Sequence, residues 1–236
     1  MTFTIVARDA KTGQLGIALT TSPMAVGGRC PYIRSNLAAV STQANTNPAL
    51  GPLALELLGM GFTPQKVLEE LAGADDHYAW RQVAIVDREG RTAVHTGTEC
   101  RAHADAIQGD GYVVMGNYLA SAEVVPSMDR AWKNSEGQAL EDRLMAALVA
   151  GRDAGGDIGG HRSSCMLVHD LAPHPRTDLR IDFAPKHEGT PDAVDGLQEL
   201  LRRYQPVSDY YQALPRNPKL PNWMKWLEER GLPFRE

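Results

Sequence analysis

The stretch MTFTIVARD, Met1 to Asp9, places a threonine directly after methionine and at the head of an apolar run. Thr2 has two readings. It is one more β-branched strand residue, or it is the first residue of the mature protein and a nucleophile. A threonine hydroxyl attacks a carbonyl only when a base stands beside it. With Met1 removed, the α-amine of Thr2 is that base, and its ordinary pKa of about 7.7–8.0 suits proton transfer near neutral pH. One residue then supplies nucleophile and base, which is the N-terminal threonine version of the hydrolytic triad.

Other chemistries find less support. The seven histidines (His77, His95, His103, His161, His169, His174, His187) form no HExxH pair and no acid–histidine cluster at ligand spacing, so no metal is expected. AGGDIGGHRSS lacks both GK[ST] and GxGxxG, and it leads into a strand where a phosphate site needs a helix. No GxSxG elbow occurs. Cys30 sits beside Arg29 but has no local base, and reads as an inert thiol. No cofactor is expected.

Composition bounds the class. The 236 residues, 43% hydrophobic and 22% charged, fit one large globular domain with a small appendage. A net charge of −5 gives no basic stripe for nucleic acid. No apolar run reaches membrane-spanning length, and the N-terminal stretch does not read as a secretory signal. Three widely spaced cysteines, Cys30, Cys100 and Cys165, make no disulfide framework. A cytoplasmic protein is the expectation.

The elements that must position Thr2 follow from periodicity. Phe3 to Arg8 and Leu15 to Thr21 read as a hairpin. Its second strand alternates bulky Leu15, Ile17 and Leu19 with thin Gly16, Ala18 and Thr20. Ser22 to Pro31 reads as a loop and Leu37 to Gln43 as a strand. Ala49 to Leu58 is helical, with Leu50, Leu53, Ala54 and Leu57 inward. Thr63-Pro64 starts a second helix to about Ala72. Strands follow at Gln82–Asp87, Thr92–His95 and Tyr112–Met115. Helices follow at Ala122–Lys133 and Gln138–Arg152. Strands at Ser164–His169 and Leu179–Phe183 precede a helix opened by Pro191 and running to about Tyr204. Hairpins grouped apart from helix pairs predict an α+β fold: a four-layer αββα sandwich of two stacked antiparallel sheets between helix layers. Residues 1–205 form this domain. Residues 206–236 read as an aromatic, proline-rich arm, helical only at Trp223 to Arg230, packing on the body or a partner subunit.

Family resemblance sharpens the reading. MTFTIVARDAKTGQLGIALTTSPMAVG resembles the opening of domain-of-unknown-function family 1028, grouped with the N-terminal-nucleophile (Ntn) hydrolase-like fold. The resemblance continues through AAVSTQANTNPALGPLALELL, RQVAIVDREGR, HTGTEC, VMGNYLA and RLMAALVAGRDAGGDIGGHRSS, and covers about Thr2 to Tyr204. It implies the αββα fold and amide-bond hydrolysis, with no substrate. It also implies roles. Hydrolysis at Thr2 needs donors for an oxyanion. Asn117, in MGN at a strand end, is the candidate, with a plain Gly-Asn turn as the other reading. Thr20 and Ser22 lie where related folds place polar groups around the nucleophile. Arg29 and Gln43 are candidate substrate or amine contacts, and Glu99 and Asp157 are candidates for setting the amine's protonation. Arg162 stands where related sequences often carry Gln, so a ligand contact there alters charge preference.

The expectation is an amidohydrolase acting on a small-molecule substrate, as a homodimer, with Thr2 and Asn117 catalytic. The alternative is a ligand-binding or scaffold protein of the same fold that retains Met1.

Overall fold

The computed structural model describes residues 1–185 and 189–232. His187 and the last four residues of the arm lie outside them. In chain order the elements are β1 (Thr2–Arg8), β2 (Leu15–Thr21), β3 (Pro31–Arg34), β4 (Ala38–Ala44), α1 (Leu50–Gly59), α2 (Pro64–Ala74), β5 (Arg81–Asp87), β6 (Thr92–Thr96), β7 (Asp105–Gly109), β8 (Tyr112–Asn117), α3 (Val124–Asn134), α4 (Leu140–Asp153), β9 (Ser163–His169), β10 (Pro175–Ile181), α5 (Ala193–Ala213) and α6 (Trp223–Glu229). Single 3₁₀ turns lie at Val26–Gly28 and Tyr78–Trp80.

Two antiparallel sheets are stacked. The larger has the order β10-β9-β2-β1-β8-β7, and the smaller β3-β4-β5-β6. Side-chain alternation sorts β1 into two faces. Phe3, Ile5 and Ala7 pack against α3, α4 and α5, while Val6 faces the other sheet with Ile17, Leu19, Ala39, Val86 and Met115. The outer face of the small sheet (Val40, Val83, Ile85) packs on α1 and α2. The molecule is therefore the four-layer α+β sandwich. The thin face of β2 has a cause: a Cβ on Gly16 would come within 2.6 Å of Leu144 Cδ1, so α4 lies directly on that strand.

Two short strands were not expected. β3 begins at Pro31, which is tolerated at the first position of an edge strand. β7 (DAIQG) is an edge strand of low β-propensity held by its pairing with β8. On α1, Leu55 and Leu58 are buried and Leu53 and Leu57 only half-buried, because the Tyr32 ring sits on Gly51 and sets the helix rotation.

The helix expected to end near Tyr204 runs on to Ala213, across residue 206. α5 starts at Ala193, two residues after the Pro191 expected at its first position, and Asp192 caps it in a capping box with Asp195. The helix then continues past Pro206 to Ala213. Tertiary contacts outweigh the lost N–H: Tyr204 donates to Arg176 O before the proline, and Tyr210 packs on Trp226 after it. Val207, Tyr210, Trp226 and Leu227 form a small separate core that orders the tail on the body. No helix among the described residues is long and apolar enough to cross a membrane.

Candidate active site

The interface between the sheets changes character along its length. Its middle is apolar. At the end where β1 starts and β4 and β8 finish, the same inward-facing rows carry Thr2, Thr4, Thr21, Ser41, Gln43, Gln82 and Asn117, all buried. Thr2 and Asn117 stand directly opposite each other in the β1/β8 pairing. Buried polar side chains must find partners, and these form one network.

Gln82 is its centre. Its Nε2 donates to two backbone carbonyls, Asp105 O at 3.1 Å and Gly116 O at 3.0 Å, and to Thr96 Oγ1 at 3.0 Å. Its Oε1 accepts from Gln43 Nε2 at 2.7 Å and from Asn117 Nδ2 at 3.1 Å. The same two NH2 groups donate to Thr2 O, at 3.3 and 3.4 Å. Thr4 Oγ1 donates to Gln43 Oε1 at 2.5 Å. Asn117 Oδ1 is thereby turned to the chain terminus and accepts from the Met1 ammonium. Thr2 Oγ1 lies 3.1 Å from Thr21 Oγ1, and both hydroxyls donate to Met1 O. The side of Asn117 that meets the N-terminus is thus an acceptor. Both of its donors are directed to Gln82 Oε1 and Thr2 O and away from the N-terminus. Thr21 already donates to a carbonyl carried by Thr2.

Thr2, Thr21 and Asn117 open into a cavity of about 250 Å³, also lined by Arg29, Cys30, Thr46, Trp80, Glu99, Cys100 and Arg101. Burial holds the Met1 ammonium below its ordinary range, and the Asp157 carboxylate partly offsets this. Burial in turn raises the Asp157 carboxyl, while N–H donation from Gly159 (2.7 Å) and Ser22 (3.0 Å) pulls it back. The Cys30 thiol is pushed up to about 12 by burial, so it is no thiolate at neutral pH. No cluster among the described residues has the composition of a metal site.

Of the residues singled out in the sequence, Thr2, Asn117, Arg29 and Glu99 line this cavity. Gln43 lies just beneath it, on Thr2 O. Ser22 and Asp157 bond to each other behind the N-terminus. Thr20 does not line the cavity: it is one residue out of phase with Thr21, faces the helix layer and donates to Ser163 O. The Arg162 side chain turns to a separate hollow and stacks on Phe183, 4.9 Å from the ring centre. Sequence reasoning missed Thr21, Gln82, Trp80 and Arg101. Parity along LGIALTT was the available signal for Thr21. Gln82, inward-facing by parity with Ala84 and Val86, was the signal for a buried amide. Two non-glycine residues with left-handed backbones flank the site, Ala44 (φ 73°) and Tyr118 (φ 55°), and such strain gathers at functional sites.

Residues 2–189 match the family of unknown function DUF1028. The chain belongs to that family. The crystal structure of protein SPO2555 from Silicibacter pomeroyi, described as DUF1028, is similar at a TM-score of 0.77 and 28% identity, over 95% of this chain and 92% of that one. Anbu (ancestral beta-subunit) from Yersinia bercovieri aligns over 93% of this chain and 98% of its own, at a TM-score of 0.43 and 13% identity. No curated protein matches the chain.

Proposed function

We propose that this DUF1028 protein is an N-terminal-nucleophile amidohydrolase of the Ntn type, with Thr2 as nucleophile after Met1 is removed. One observation carries the reading: the Thr2 hydroxyl and the chain's N-terminus share one cavity, at the polar end of the sheet interface. Thr2 Oγ1 attacks the substrate carbonyl and its proton passes to the Thr2 amine. The oxyanion accepts from Thr21 Oγ1. The C–N bond then breaks, and the leaving amine takes the proton from the Thr2 ammonium. Water hydrolyses the resulting ester, with the amine again accepting a proton, and releases the acid. The net reaction is amide plus water to acid plus amine.

The cavity suits a small substrate, and Arg29 and Arg101 on its wall favour one bearing a carboxylate. Arg29 is held in place by donation to Met24 O and Ala25 O. The reading is tested by turnover of a panel of small amides, ureides and acylated amino acids. Thr2→Ala abolishes turnover and leaves the melting temperature within a few degrees, while Thr2→Ser keeps activity. Full activity in Thr2→Ala excludes the mechanism.

The contacts of Met1 favour a second reading. Its ammonium and carbonyl are both bound within the site, as in a ligand-binding protein that keeps its methionine. Such a protein turns over none of the panel.

A further inference from the structure

The side-chain amides around Thr2 cannot be turned over independently. Carbonyl oxygens only accept, so Asp105 O and Gly116 O force the NH2 of Gln82 toward themselves. Gln82 Oε1 must then face Gln43 and Asn117, and each of those must present NH2 to it. Thr2 O, a third acceptor, demands the same of both. Thr4 Oγ1 satisfies the Gln43 oxygen left over. The Asn117 oxygen left over points at the N-terminal amine. Gln82 is fully buried and off the cavity, so a reversed Gln82 amide would set its oxygen against Asp105 O and Gly116 O with no water to relieve it.

We infer that Gln82 is a positioning residue of this site: it locks Asn117 so that its carbonyl oxygen, and not its NH2, meets the Met1 ammonium. Asn117 is then the group that holds that amine by one N–H. The amine placed here is that of Met1, so the assignment is read on the chain that keeps Met1. The orientation itself does not depend on catalysis. Gln82 acts entirely through Asn117 and Gln43, since it does not line the cavity.

The test reads the N-terminal amine directly, in the full chain as purified. Competitive labelling with acetic anhydride across pH, followed by mass spectrometry of the N-terminal peptide, gives the amine's titration midpoint. Asn117→Asp keeps an acceptor and adds negative charge, so the midpoint rises by about one pH unit. Gln82→Met removes the Oε1 anchor and leaves the Asn117 NH2 held by Thr2 O alone, so the Asn117 oxygen is less firmly fixed on the ammonium and the midpoint falls. An unchanged midpoint in Asn117→Asp overturns the inference, as does a wild-type midpoint in folded Gln82→Met. Should Gln82→Met not fold, NMR of the wild-type Asn117 NH2 decides. Its protons exchange slowly and keep their shifts as the amine titrates. Large shifts that track the amine contradict the assignment. Loss of turnover in Thr2→Ala bears on the nucleophile alone, so the two claims fail separately.

Discussion

Asp75 and Arg81 form a nearly buried ion pair beside the cavity, with Arg81 Nε 3.0 Å from Asp75 Oδ2. Arg81 also donates to Asn45 O, and Asn45 N donates to Trp80 O at 3.3 Å. The pair thus ties the cavity wall at Asn45 to the wall at Trp80. Asn47 Nδ2 and His77 N complete the carboxylate's partners. The Arg81 hydrogen bond is the largest reason that Asp75 titrates at about 2.

A carboxyl held below its unfolded value of 3.8 stabilises the fold above that pH and loses the contribution as pH falls toward about 2. At about 1.4 kcal/mol per pH unit the contribution is roughly 2 kcal/mol. Asp75→Asn therefore lowers the melting temperature at pH 7 by about 4–8 °C. The difference from wild type shrinks between pH 4 and pH 2, as followed by thermal melts in a pH series.

The acid limb of kcat/KM reports the amine that must be unprotonated to act as base. The ordinary α-amine range of about 7.7–8.0 therefore predicts activity that rises with pH through the neutral region. An Asp157 anion near the site favours an ammonium there, as it does for Met1, so Asp157→Asn moves the midpoint lower, by about one unit or less. A pH–rate profile of the two proteins measures the shift and its sign.

Arg101 lines the cavity wall and pairs with no carboxylate among the described residues, with only the Tyr118 ring 5.5 Å from its guanidinium carbon. A charge-assisted hydrogen bond is worth about 1.5–3 kcal/mol. Arg101→Ala therefore raises KM for a carboxylate-bearing amide about tenfold or more, with kcat little changed, and leaves the matching neutral amide unaffected. Steady-state kinetics on the substrate pair separates the two parameters.

The sandwich was legible because its signals are local. Leu15, Ile17 and Leu19 alternate, Val67, Leu68 and Leu71 recur at helical spacing, and Thr63-Pro64 announces a helix start that the structure keeps. What escaped depends on partners distant in the chain. β3 and β7 exist through pairing with β4 and β8. α5 crosses Pro206 because Arg176 and Trp226 hold it on either side. Thr2 and Asn117 carried their own signals, a position and a strand end. Gln82 carried only its parity with Ala84 and Val86, and its role shows once Asp105 O and Gly116 O are seen to fix its amide. Thr20 was preferred to Thr21 because a one-residue change of parity moves a side chain between the helix layer and the cavity.

Intact mass before and after incubation with a β-lactone, followed by peptide mapping, tests the central claim most directly. The account predicts a chain lacking Met1 and a single acyl adduct on Thr2. A chain that retains Met1 and carries no adduct on Thr2 contradicts it.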